Sequence, residues 1–244
     1  MREFFVNEEI GIPFHKFDLT HICLLVLLAI ILFIIYKKRN DLPNIKNKKR
    51  LKVIFSIILI TNMCILYGSY IYYGVWDFRM HLPLHLCFIT GNLYAIAAIF
   101  DLKELYKWVY FLVFVGPLPA IIWPDNTSCF DNYLWYHYII SHHGLFIFSF
   151  ITYYMDKVKI EKRDLLNALL VGNIIFVSMA IFNDIFGTTY IMTTELPKHM
   201  LDLYPFLQNI KYPMLILELL GIVVFAIACI PVYFRNKELE SNKK

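Results

Sequence analysis

Seven stretches of mostly apolar residues recur along the chain, at about 19–36, 52–75, 83–100, 105–123, 133–155, 165–187 and 212–234. Each approaches the roughly 20 residues that an α-helix needs to cross the hydrocarbon core of a bilayer. The pattern predicts an all-α polytopic membrane protein with about seven transmembrane helices in one transmembrane domain, 1–244, ending in a short tail, 235–244. The third and fourth stretches are separated only by DLKE, which predicts one tight turn between antiparallel helices. In the cluster GPLPAIIWP at the end of the fourth, the prolines predict a kinked or broken helix end.

Composition agrees with this reading. Of 244 residues 59% are hydrophobic and only 17% charged, against roughly 25% charged in soluble domains. Mean hydropathy is +0.58. The five cysteines, Cys23, Cys64, Cys87, Cys129 and Cys229, show no CxxC spacing, which argues against a disulfide framework or a zinc ribbon. The N-terminal MREFFVNEEIGIPFHKFD lacks the basic region and apolar core of a secretory signal, so the first span is expected to remain.

Lysine and arginine gather on the cytoplasmic side of membrane proteins. With the N-terminus outside, the loops after spans one, three and five and the C-terminal tail hold 18 of the 23 basic residues. The outer segments hold Arg2, Lys16, Arg79, Lys198 and Lys211. This predicts an external N-terminus and a cytoplasmic C-terminus. The basic block KKRNDLPNIKNKKRLK reads as a topology signal that also meets anionic lipid, not as a nucleic-acid site.

Ionisable groups inside spans mark functional positions by default, and here they crowd toward the outer leaflet. His21 starts span one. His81 and His85 flank the mouth of span three, where Pro83 is expected in the first helical turn. Cys87 then lies near a helix N-terminus, a place that favours a thiolate. His137, His142 and His143 occupy the outer half of span five, Asn183 and Asp184 the outer end of span six, and Glu218 the second turn of span seven. His85, two residues from Cys87, points about 200° away on the same helix, so the partner of Cys87 must come from elsewhere.

Attack by cysteine on an acyl carbonyl needs a base, a group that orients the base and a donor for the oxyanion. Cys87, His142, Asp184 or Glu218, and Asn183 can fill those roles in that order. Adjacent His142 and His143 differ by about 100° in direction, which leaves either as the base. His21, His81, His85 and His137 are supporting or structural candidates. Although His, Cys and carboxylate all bind zinc, no ligand spacing within spans three or five points to a metal, and no cofactor is expected.

Several of these segments are shared with a known family. FHKFDLTHICLLVLL, HLPLHLC, YHYIISHHG, and FNDIFGTTYIMTTELP followed by the YP leading into span seven together resemble the YwaF-type integral membrane proteins of Gram-positive bacteria, a group related to the eukaryotic transmembrane protein 164 acyltransferases. The resemblance runs over nearly the whole chain, and HLPLHLC is its most specific part. It implies a multi-pass protein of the bacterial plasma membrane that transfers a fatty acyl chain from a phospholipid to a lysophospholipid, with Cys87 and His142 as the acting pair. Competing readings are a phospholipase or thioesterase-like hydrolase at the same site, a small transporter, and a non-catalytic receptor or assembly protein.

Overall fold

The computed structural model describes residues 1–6, 12–124, 126–193, 201 and 213–241. Among these, every regular element is helical: α1 (Arg2–Val6), α2 (Leu19–Lys37), α3 (Lys48–Tyr72), α4 (Phe78–His81), α5 (Leu86–Phe100), α6 (Lys103–Val115), α7 (Pro117–Ile122), α8 (Tyr133–Tyr138), α9 (Leu145–Met155), α10 (Lys162–Phe186) and α11 (Pro213–Ser241). A π-helical segment, Ile139–Gly144, joins α8 to α9, so the chain is helical from Tyr133 to Met155. Five helices are long and apolar enough to cross a membrane: Leu19–Lys37, Lys48–Tyr72, Lys103–Ile122, Lys162–Phe186 and Leu215–Glu238. The protein is an all-α membrane protein. Helices also overlap the other two predicted stretches: the 15-residue α5, about 22 Å long at 1.5 Å per residue, and the composite α8–α9. Residues 194–197, which carry the TELP motif, Lys198, Lys211 and Tyr212 lie outside the described residues.

Contacts divide the chain into two compact units, Met1–Trp76 with Leu86–Lys159, and Asp77–His85 with Ile160–Lys244. In the first, α6 is the core. Val109 to Phe114 are six consecutive buried residues, a pattern possible only for a helix enclosed on all sides, and α5, α7 and α9 pack against it. Its aromatic side chains meet those of α9: Tyr110 lies 4.6 Å from Tyr153 and Phe114 5.4 Å from Phe146, between ring centroids. The turn from α5 to α6 is Asp101–Leu102, with Asp101 in the left-handed region at φ 54°. Along α2, Ile22, Val26, Ile30 and Phe33 are exposed, the face expected to meet lipid.

One polar feature of this unit departs from the sequence reading. Lys52, counted there within the basic topology block, is buried on α3, where its Nζ lies 2.6 Å from Asp156 and 3.6 Å from Asp101. It also sits over the Tyr106 ring. Its charge is neutralised within the protein.

In the second unit, α10 carries an exposed apolar stripe, Leu166, Leu170, Ile174, Val177, Ile181 and Ile185, at the three-to-four spacing of one helix face. Gly187 ends the helix in the left-handed conformation, φ 62°, and donates to Asn183 O, the cap that glycine adopts without a Cβ penalty.

Candidate functional site

Cys87 is the second residue of α5. Pro83 does not open this helix as expected; it lies in the turn before it, and His85 likewise precedes α5. Cys87 therefore sits closer to the N-terminal N–H groups than predicted. The break between α6 and α7 lies close against it there. A Cβ on Gly116 would come within 3.2 Å of the Leu86 carbonyl carbon and 3.3 Å of the Cys87 nitrogen, so glycine is what lets the first turn of α5 approach so closely. The predicted break in GPLPAIIWP thus bears directly on the cysteine. Cys87 borders a cavity of ≈ 20 Å³, shared with Leu59, Ile60 and Met63 of α3, Gly91 and Asn92 of α5, and Ser141 and Leu145. Such a volume admits about one water.

The histidine segment is not a plain α-helix. Ile139–Gly144 is π-helical, and such insertions re-aim side chains and recur at functional sites. Ser141, not His142 or His143, borders the cavity with Cys87. His137 is buried: its Nδ1 lies 3.0 Å from Asn62 Nδ2 and its Nε2 3.2 Å from Ser141 Oγ. His142 places Nδ1 3.0 Å from Tyr138 O. That contact requires an Nδ1–H donor, so the neutral ring carries its lone pair on Nε2. His143 is 5% exposed, and neither of its ring nitrogens has a hydrogen-bond partner among the described residues. A buried polar group left in that state calls for a functional explanation. His21, fully buried, accepts from Phe17 N at Nδ1 and donates from Nε2 to Ile121 O, both at 2.9 Å. Both its nitrogens are committed to tying α2 to the end of α7.

The remaining candidates lie in the second unit. Asn183, 1% exposed, donates from Nδ2 to Tyr190 O and Thr193 Oγ1, each at 2.7 Å, and accepts at Oδ1 from Thr188 Oγ1 and Tyr190 N. Both amide hydrogens are spent on the loop after α10, which leaves none for an oxyanion. That loop includes Ile191 at φ 57°, a strained conformation for a β-branched residue. Tyr190 donates its hydroxyl to Phe78 O, accepts from Leu82 N at 2.8 Å, and meets the His85 ring edge-on at 5.2 Å. Two motifs of the family resemblance, HLPLH and NDIFGTTY, are thereby joined. His81 accepts at Nδ1 from Asp77 N; burial holds its ring below the ordinary histidine range, against the pull of the Asp77 carboxylate. Asp184 is exposed and Glu218 half-buried.

A family model matches residues 14–229, that of the TMEM164 family. The chain belongs to the TMEM164 family. No curated protein and no solved structure matches it. The stretch matched to the TMEM164 family contains Cys87 and every histidine discussed above.

Sequence reasoning missed Ser141, Asn62 and Tyr133 in this member of the TMEM164 family. Tyr133 donates to the Asn62 side-chain and main-chain oxygens at 2.8 and 2.9 Å, and Asn62 in turn meets His137 and Ser141. One signal was present. An asparagine midway along an apolar span is expensive unless paired, and Ser141 follows His137 by one helical turn.

Proposed function

We propose that this protein moves an acyl chain from a membrane phospholipid to a lysophospholipid through a thioester on Cys87. The observation that carries the reading is Cys87 itself, in the first turn of an apolar helix that Gly116 lets approach closely, and bordering a small cavity with polar Ser141 on its wall. Membership of the TMEM164 family supports it, as does the activity that the sequence resemblance implies.

In this reading Cys87 Sγ attacks the ester carbonyl. His142, its Nδ1–H committed to Tyr138 O, takes the thiol proton at Nε2 and returns it to the departing lysolipid oxygen. A second lysolipid hydroxyl, relieved of its proton by the same histidine, then collects the chain and regenerates the thiol. The cavity has room for a carbonyl oxygen, not for an acyl chain, which stays in the lipid. With the N-terminus outside, as the basic residues predict, the site faces the outer leaflet of the bacterial plasma membrane. There a phospholipid enters laterally, whereas acyl-CoA remains in the cytoplasm, so transfer between lipids fits better than CoA-dependent transfer.

Room for about one water beside Cys87 favours one second reading, hydrolysis of the same thioester. Proteoliposomes holding a phospholipid with a deuterated acyl chain and an unlabelled lysolipid separate the two. Labelled diacyl product is expected from the wild type and not from Cys87→Ala. Labelled free fatty acid alone would make the protein a hydrolase, and no Cys87-dependent product would end the proposal.

A further inference from the structure

Hydroxyl groups inside the apolar helices mostly turn back on their own backbone. Ser56 donates to Lys52 O, Ser69 to Leu66 O, Ser149 to Leu145 O and Thr90 to Leu86 O, at 2.6 to 2.9 Å. Ser141, in the π-helical segment, does not. Its partners among the described residues are Asn62 Nδ2 and His137 Nε2, each at 3.2 Å.

Donor and acceptor roles in this network follow from one end. The Tyr133 hydroxyl faces Asn62 Oδ1 and the Asn62 main-chain oxygen, which turns Nδ2 and its two hydrogens toward His137 Nδ1 and Ser141 Oγ. An imidazole that accepts at Nδ1 carries its proton on Nε2. His137 therefore donates to Ser141. The Ser141 oxygen receives two hydrogen bonds, and its own hydrogen has no acceptor among the described residues. Receiving two donors polarises that O–H and makes it a stronger donor itself. The same residue borders the ≈ 20 Å³ cavity that Cys87 borders.

We propose that the Ser141 hydroxyl is the donor that holds the carbonyl oxygen of the acyl group on Cys87, with His137, Asn62 and Tyr133 as positioning residues. The inference rests on the thioester reading above. As the Sγ–C bond forms, the carbonyl electron pair moves onto oxygen, where the Ser141 O–H meets it. Collapse restores the C=O bond and expels the lysolipid oxygen, which leaves with the proton carried by His142. A donor placed at developing oxyanion charge stabilises the transition state more than the ester.

Stopped-flow acylation of the full-length protein in detergent by 4-nitrophenyl palmitate tests this, because the leaving group needs no acid. Wild type is expected to release a burst of nitrophenolate that Cys87→Ala lacks. Ser141→Ala should slow the burst on the order of 100-fold with half-saturation unchanged, and Ser141→Thr should restore most of the rate. The 13C=O stretch of the acyl-Cys87 thioester should rise in frequency in Ser141→Ala. An equal burst in Ser141→Ala overturns the donor role and leaves the thioester standing; no Cys87-dependent burst in the wild type overturns both. A hydroxylamine-resistant acyl group on Ser141 makes it a nucleophile and also overturns the donor role. Should the variant not fold, the wild-type band decides: at the frequency of the same thioester in alkane, the proposal fails.

Discussion

Asn62 and Asn183 are both buried amides, 4% and 1% exposed, in long apolar helices, yet they spend their hydrogen bonds differently. Among the described residues Asn183 binds only groups within ten residues of itself, and every donor and acceptor position of its side chain is used. Asn62 reaches 71 to 79 residues along the chain, to Tyr133, His137 and Ser141. The local knot saturates itself and fixes the shape of a loop. The long-range network joins α3 to the histidine segment and ends at a cavity with one hydroxyl hydrogen left over among the described residues. A saturated buried polar cluster is architecture; one that ends in a donor unspent among the described residues, at a cavity shared with a cysteine, has chemistry to offer.

That contrast can be broken by substitution, and the expected effects descend in size. Cys87→Ala should lower acyl transfer at least 1000-fold, about 4 kcal/mol of transition-state stabilisation, while thermal unfolding stays near that of the wild type. A variant still active at a tenth of the wild-type rate would remove the cysteine from the chemistry. Asn183→Ala strands a strained loop, with Ile191 at φ 57°, and should cost about 3 kcal/mol of stability in denaturant unfolding. If it left stability intact and removed activity, the two asparagines would have to exchange roles.

Gly116→Ala sharpens the comparison from the cavity side. The added methyl presses on Leu86 and Cys87 backbone atoms at 3.2 and 3.3 Å, so a shift of a few tenths of an ångström in the first turn of α5 should slow acylation about 10-fold. Lipid binding measured by half-saturation should be unaffected, and an unchanged rate would mean that the position of this turn is not limiting. Smallest is Asp184→Asn. The side chain is exposed, and the change should stay within about 0.5 kcal/mol in stability; a large loss of transfer would mark Asp184 as the group that orients the base.

Much of the fold was legible because lipid permits few solutions. A chain must be apolar for about 20 residues to cross, and helices overlap all seven predicted stretches. The tight turn at Asp101 and the break at Gly116 were marked by a short polar link and by prolines. Side-chain neighbours were not legible, for reasons that differ by residue. In YHYIISHHG an α-helical register misplaces the histidines, because nothing in the local sequence announces a π-helical segment. Ser141 resembles a packing residue until Asn62 stands opposite it, and that pairing depends on how α3 lies against the segment. Lys52 was indistinguishable from the neighbouring basic residues until Asp156 was placed beside it. Asn183 was singled out as a polar group near the outer end of span six, but its partners lie in a loop whose strained turn no periodicity foretells.

The central claim is that Cys87 carries an acyl group, and the most direct measurement is intact-mass spectrometry of the protein after incubation with diacyl phosphatidylethanolamine and phosphatidylglycerol vesicles. The account predicts a mass increment of one acyl chain, removed by neutral hydroxylamine, discharged by added lysophospholipid and absent from Cys87→Ala. An unmodified wild-type mass, or an increment that persists in Cys87→Ala, would contradict it.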